Sequence, residues 1–535
     1  MTRIPSRLLL PFLAAFVVAG PSLWTARAFA ADSDLTLLVN SGFSRSQLTP
    51  AEQGWYDLSW AHSAGCNTIV NSRSLSDDTY TYGRSVGDYT AFMLMGLRAT
   101  GDRLYLDRVK VVTDAMRTTL RDADDACVGG ATDGYLNWRW RALGAGSYSC
   151  TNTGGFYGRD NHQLDEAMTH GNIALIAYAF TLNADIDTAY ASRAAYWTNY
   201  LRNHWEAKWI GRVGGDSVKA WMDNSGMYKH EAHVVANLQR AAYYLWKITG
   251  NPFYKARADG LTARSVANCD INPNVSTAYS WHHQVDNNDT WQLINYSEYT
   301  AAVFCDLSLD GYAPYSNPVE IKRFMSTWRD IVLKNSAPAF SSMTADVYGA
   351  GSIGIRASGI SAFARWDSTG KLLAYANRFA GDTPGANSIG TIRVFTGAQV
   401  AVSTRGAAAN APPSRITNLA APQVADNNVT LTWTAPSDDG PSGRATAYQL
   451  RRSSAPITDG NFGSATVVPI SLTPKAAGAA EQFVVSGLNP GTLYYFAIRG
   501  IDNLVLAASV SNNASFTTRA TDTIPPARVV DLSTP

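Results

Sequence analysis

The stretch Met227–Gly250, MYKHEAHVVANLQRAAYYLWKITG, carries the side chains best able to do chemistry. Read at helical spacing, Glu231, Val234, Val235, Leu238, Ala242 and Leu245 make an apolar face with one acid at its start. His230, His233, Asn237, Arg240 and Tyr244 fall at i, i+3, i+7, i+10 and i+14, a second stripe on an adjacent face. A solvated face would carry Lys and Glu. This one carries groups that titrate or donate hydrogen bonds, the equipment for proton transfer and for holding an anion. The pattern predicts a helix that packs on one side and lines a cavity on the other, with His230 facing the cavity. Taken singly, either histidine reads equally well as a partly buried residue satisfied by hydrogen bonds.

Two further segments gather polar groups at helix starts. Arg159–Asn172, which includes His170, runs into the apolar Ile173–Phe180. Trp281–Tyr299 runs into Thr300–Leu307, and its Gln292, Tyr296 and Tyr299 share one helical face. Acid pairs compete as a signal, because two carboxylates are what glycoside hydrolysis needs. Asp77-Asp78 and Asp124-Asp125 sit in polar loops, whereas Asp165-Glu166 lies inside the first of these segments. Trp138 and Trp140 are placed to stack on sugar rings or, with equal standing, to pack a core. Asp286-Asn-Asn-Asp289 lacks the length of a calcium loop, and no metal or cofactor is expected.

The elements that must position these residues follow from the rest of the chain. Arg3 and Arg7 precede an apolar run over Leu8–Gly20, and Ala28-Phe29-Ala30 is a small-residue cleavage site, so residues 1–30 read as a secretory signal peptide. The 44 basic and 43 acidic residues give no electrostatic case for nucleic acid or a membrane surface. Thirteen of the 15 tryptophans lie between Trp55 and Trp366 and all eight histidines between His62 and His283, so the chemistry belongs to the first large domain. Export permits disulfides. Cys127 and Cys150 bracket the Trp138 loop and are the first expected pair, Cys269 and Cys305 the second, with Cys66 left over.

From about Ala51 to Ala380 the pattern is helix, short loop, helix. Arg98-Ala-Thr-Gly-Asp-Arg-Leu-Tyr105 and Lys247-Ile-Thr-Gly-Asn-Pro-Phe-Tyr254 share a core in which Gly ends one helix and Asp or Asn caps the next. Pro252 then takes a first helical position. Repeated hairpins of this kind, with aromatic-rich inner faces, resemble the (α/α) toroid domains of secreted carbohydrate-active enzymes, with alginate-lyase-like and glucuronan-lyase-like polysaccharide lyases the nearest match. The resemblance implies β-elimination on a uronic-acid polysaccharide. Asn, His or Arg would neutralise the uronate carboxylate, and Tyr or His would move the proton. By resemblance the catalytic positions are Asn172, His230 or His233, and Tyr296 or Tyr299. Substrate contacts would come from Arg84, Trp138, Trp140, His170, Asn237, Arg240 and Gln292. No Arg stands shortly before the tyrosines, so Arg84, Arg139 or Arg240 must supply that charge. A toroid glycoside hydrolase and a non-catalytic glycan-binding toroid are the alternatives.

Residues 406–414 are a small-residue and proline linker. Beyond it short alternating runs such as Val429–Thr434 and Tyr494–Ile498 read as strands. Leu488-Asn-Pro-Gly-Thr-Leu-Tyr494 resembles the tyrosine-corner segment of fibronectin type III modules, with Trp433 in the early-strand core position. The expected organisation is therefore all-α followed by all-β: signal peptide 1–30, (α/α) toroid 31–405, linker 406–414 and fibronectin type III domain 415–519. Pro525–Leu532 repeats the opening Pro412–Leu419, so 520–535 reads as a linker and the truncated start of a second repeat.

Overall fold

The computed structural model describes residues 36–122, 133–140, 162–380 and 412–521, short breaks aside. The expected signal peptide, Cys127, Cys150, the Asp124-Asp125 pair and the second repeat lie outside the described residues.

The first part is largely helical. In chain order it runs α1 (Pro50–Arg73), a π-helical turn (Thr81–Val86), α2 (Gly87–Thr100), α3 (Arg103–Arg117), α4 (Gln163–Leu182), α5 (Thr188–Tyr200), α6 (Ala207–Arg212), α7 (Ser217–Met222), α8 (Ala232–Thr249), α9 (Pro252–Ala267), α10 (Ile294–Leu309), α11 (Pro318–Ser326) and α12 (Lys371–Ala380). Helices pack in sequential pairs: α2 with α3, α4 with α5, α8 with α9, α10 with α11. The first members also pack on one another, α2 on α4, α4 on α8 and α8 on α10. They form a contiguous row, within which α8 is buried from Ala232 to Leu245 without interruption. Such a helix is enclosed on all sides rather than amphipathic.

The Thr-Gly turns behave as their chemistry dictates. Gly101 ends α2 with φ of 70°, and Asp102 accepts a hydrogen bond from the Leu104 N–H to start α3. Gly250 ends α8 with φ of 67°, and Asn251 caps α9 through the Phe253 N–H.

One boundary differs from expectation. The helix carrying the polar stripe starts at Ala232, so His230 and Glu231 lie outside it. Here the chain pairs with a distant loop instead: Ala232 N–H donates to His283 C=O, and Val285 N–H to His230 C=O. That loop follows an antiparallel hairpin, β1 (Cys269–Asn272) and β2 (Val275–Trp281). A second small pair is β3 (Ser342–Met343) and β4 (Ile353–Gly354). Gln292 likewise precedes α10, its N–H bonded to Trp281 C=O.

The C-terminal part is a β-sandwich of antiparallel strands. One sheet is β5 (Ala420–Val424), β6 (Asn428–Thr434) and β9 (Ala480–Ser486). The other orders β11 (Ala514–Thr517), β10 (Leu493–Ile501), β7 (Ala447–Ser453) and β8 (Thr466–Val468). Leu431, Trp433, Tyr448, Leu450, Phe496 and Ile498 fill the space between, Trp433 meeting Tyr448 edge-on at 5.2 Å. The Tyr494 hydroxyl accepts from the Asn489 N–H at 3.1 Å, closing the corner.

The two parts touch. Buried Asp185, beyond α4, pairs with buried Arg451 on β7, and its carbonyl accepts from the Ile470 N–H at 2.6 Å. Leu38, Leu182, Ala447, Ile501 and Ala507 form an apolar cluster beside it.

Candidate functional site

Two adjoining cavities lie among α2, α4, α8 and α10. The smaller, about 300 Å³, is lined by Gly87, Asp88, Asn172, Asn237, Arg240 and Tyr299 among others. The larger, about 550 Å³ and partly open to solvent, shares Asp88, Arg240 and Tyr299 and adds Glu298, Cys305 and Asp306. Asn172 stands where α2 and α4 approach so closely that a Cβ on Gly87 would lie 2.3 Å from its amide nitrogen. Only glycine fits there.

Arg240 is buried between two partners. One guanidinium nitrogen donates to Asn172 Oδ1, and another pairs with Asp306 at 2.9 Å. Its Nε has no partner among the described residues. Burial pushes the Asp306 carboxyl above its ordinary range, with the charges of Arg240 and Arg98 working against the shift.

Arg84 comes from the π-helical turn ahead of α2. Its guanidinium lies 5.7 Å from the centre of the Tyr299 ring and 4.6 Å from that of Tyr80. Its Nε meets Asp165 Oδ1 at 3.2 Å. Asp165 also takes a hydrogen bond from Trp140 Nε1 and stands 3.1 Å from His162 Nδ1, whose ring stacks on Trp140 at 4.4 Å. Burial pushes the Asp165 carboxyl up, but the His162 hydrogen bond and the Arg84 charge outweigh it and hold the group below its usual value.

Where α8 and α10 begin, a second cluster forms. The wholly buried His233 ring stacks on Tyr296 at 4.9 Å and tilts against His283 at 6.0 Å. Burial, followed by the charges of His283 and Arg84, pushes its pKa down to about 3. Gln292 reaches His233 Nδ1 at 3.4 Å. Asn237, one turn further along α8, donates to the His233 carbonyl at 2.8 Å and links the cluster to the smaller cavity.

The expected residues therefore divide. Asn172, Asn237, Arg240 and Tyr299 meet at the cavities, Arg84 beside them. His233, Tyr296 and Gln292 make the adjacent cluster, and Gln292 is fully buried rather than presented to a ligand. Trp140 is partly exposed and bound to Asp165. Others are corrected. His230 does not face the cavity: its side chain is 43% exposed, 3.8 Å from Asp286, because its backbone is held by the 283–285 loop. Trp138 is wholly buried, its Nε1 spent on Thr119 at 3.0 Å, and offers no face to a sugar. His170 is also buried, with Nδ1 on the Glu166 carbonyl and Nε2 on the Tyr200 hydroxyl. Cys269 and Cys305 are free thiols: Cys269 contacts the Ser265 carbonyl, while Cys305 lines the larger cavity.

Of the acid pairs, Glu166 points into an internal site, 2.9 Å from Lys208 Nζ and 2.8 Å from Trp209 Nε1. Successive helical positions diverge by about 100°, so Asp165 and Glu166 do not converge. Asp77 pairs with Arg139 and Arg121. The acids that do reach the cavities, Asp88, Glu298 and Asp306, are ones sequence reasoning missed. The available signal was helical spacing along α10, where Ala302 lies one turn on from both Glu298 and Tyr299, and Asp306 lies two turns on from Glu298. Among the described residues no group of three or more His, Cys, Asp or Glu is placed to hold a metal ion. Nor is any helix long and apolar enough to cross a membrane.

Comparison with known proteins places the C-terminal part. The fibronectin type III domain family matches residues 411–508. Calcium-activated chloride channel regulator 1 of Sus scrofa is 37% identical over 109 residues, and that of Homo sapiens 35% over 109. Each match covers 19% of this chain and only 12% of the relative. A fibronectin type III domain derived from human KIAA0970 protein aligns over 23% of this chain and 87% of its own, at 19% identity and a TM-score of 0.16. The sensor domain of the anti-sigma factor RsgI4 in Pseudobacteroides cellulosolvens aligns over 21% of this chain at 18% identity and a TM-score of 0.13. The chain thus carries a fibronectin type III domain behind a largely helical region.

Proposed function

We propose that the helical region is an (α/α) toroid of a secreted enzyme that cleaves a uronic-acid-containing polysaccharide by β-elimination. The observation that supports this most is the meeting of Asn172, Arg240 and Tyr299 at one cavity, with the Arg84 guanidinium over the Tyr299 ring. In this reading Asn172 and Arg240 hold the uronate carboxylate, and the charge that builds there as the C5 proton leaves is stabilised by the same donors. Tyr299 moves the proton. The Arg84 guanidinium stands 5.7 Å from the centre of its ring. The C4–C5 double bond forms as the C4–oxygen bond breaks, and the leaving oxygen takes a proton from the tyrosine. The fibronectin type III domain acts as a spacer or surface contact, without a part in the chemistry.

Digests of alginate, glucuronan and other uronate polymers are expected to gain ultraviolet absorbance from the double bond conjugated to the carboxylate. Tyr299→Phe should cost about 100-fold or more in rate, and Tyr296→Phe much less. Glycoside hydrolysis is the second reading, favoured by Asp88 and Glu298 lining the larger cavity. New reducing ends without absorbance, lost in Glu298→Gln and kept in Tyr299→Phe, would establish it in place of elimination.

A further inference from the structure

His233 is fully buried one turn before Asn237 of the smaller cavity, and its protonation can be read from its neighbours. The chain of reasoning starts at Trp281, whose indole N–H can only donate. That N–H meets Gln292 Oε1 at 2.5 Å, and the Thr300 hydroxyl meets the same oxygen at 3.0 Å. The oxygen end of the Gln292 amide therefore faces Trp281. Turning the amide over would set two donors against each other in a site closed to water. Its nitrogen end must face His233 Nδ1, where the separation is 3.4 Å. An amide nitrogen only donates, so Nδ1 accepts and is unprotonated. The proton of the neutral ring then sits on Nε2, which is shielded from solvent and has no partner among the described residues. Burial first, then neighbouring His283, Arg84 and Lys229, disfavours a second proton on the ring, with Asp165 working the other way.

We propose that Gln292 is a positioning residue that fixes His233 as an Nε2–H tautomer, so that His233 serves the site as a hydrogen-bond donor to an acceptor-only oxygen and not as a base. Resting on the elimination reading, that oxygen belongs to the uronate carboxylate or to the enolate-like intermediate, and the tyrosine alone moves the C5 proton. The reason is that a nitrogen already carrying hydrogen cannot take another while Nδ1 is occupied by the Gln292 amide.

The test is ¹⁵N-histidine labelling of the full chain with long-range proton–nitrogen correlation spectra, the His233 signals being assigned by their loss in His233→Gln. The expected result is a protonated Nε2 and an unprotonated Nδ1, unchanged between about pH 5 and 8. In Gln292→Glu the carboxylate still accepts from Trp281 but now also offers an acceptor to Nδ1, so the proton should move to Nδ1 or the ring should charge. A proton on Nδ1 in the unaltered protein, or an imidazolium there near neutrality, overturns the proposal. Should a variant fail to fold, neutron diffraction on crystals of the unaltered protein locates the same hydrogen. A kinetic arm on uronate polymers separates donor from base: His233→Gln keeps an N–H and should lose no more than about tenfold, while His233→Leu should lose about 100-fold or more. Equal, complete loss in both variants would overturn the donor role. Absence of elimination in the unaltered protein would sink the proposed activity while leaving the tautomer, read by spectroscopy, standing.

Discussion

Asp165 shows how one buried carboxylate is kept charged by its surroundings. It is enclosed by Arg84, His162 and Trp140, and these together hold its pKa down against burial. The folded protein therefore gives up this proton more readily than the unfolded chain does. The stabilisation is complete above the unfolded value of about 3.9 and disappears as pH falls through the lower folded value. Denaturant unfolding measured down through that acidic range should show a fall in stability that is shallower in Asp165→Asn; equal slopes would count against the assignment. A low value also suits an anchor for Arg84 better than a general acid, which needs a raised one. At this scale the sequence was partly legible. Residue type and spacing put Asn237 and Arg240 on one stripe, and the resemblance added Asn172 and left Tyr296 and Tyr299 as alternatives, because the helices carrying them are long and periodic. They were not enough to separate His233 from His230, or a buried Trp138 from a partly exposed Trp140, since those differences depend on neighbours far along the chain.

Helix ends illustrate what is local and what is not. The Asn251 cap on α9 is written within four residues, and Asn251→Ala should cost about 1 kcal/mol, read as a lower denaturation midpoint with an unchanged slope. An unchanged midpoint would mean the cap is replaced by solvent. The start of α8, by contrast, is decided by hydrogen bonds between residues 230–232 and 283–285. No periodicity within Met227–Gly250 contains that information, so the polar stripe read as beginning one turn too early. A second distant pairing, Gln292 N–H to Trp281 C=O, keeps Gln292 ahead of α10, where its amide reaches His233. The β1–β2 hairpin that sets up this loop was equally hidden, because its four-residue first strand gives too short a run to read against the helices around it.

At the scale of the whole molecule, the sandwich was the most legible part. Alternation, the Trp433 position and the tyrosine corner are all local, and the corner hydrogen bond is present. How the sandwich meets the helices was not legible, since Asp185 and Arg451 are 266 residues apart and each looks like an ordinary surface charge in sequence. Burial makes the pair consequential. Arg451→Ala would leave Asp185 enclosed and without that partner, at a cost of about 3–5 kcal/mol. Calorimetry should then resolve two unfolding transitions where the unaltered protein shows the parts melting together; a single transition in both would show that the contact does not couple them. The same contact has a hydrodynamic consequence. A module hung on a loose tether reorients at the rate of a body its own size. One clamped through Asp185, Ile470 and the Leu38 cluster must turn with the helical part, so the amide spins of the sandwich should relax with the slow rotational correlation time of the entire chain.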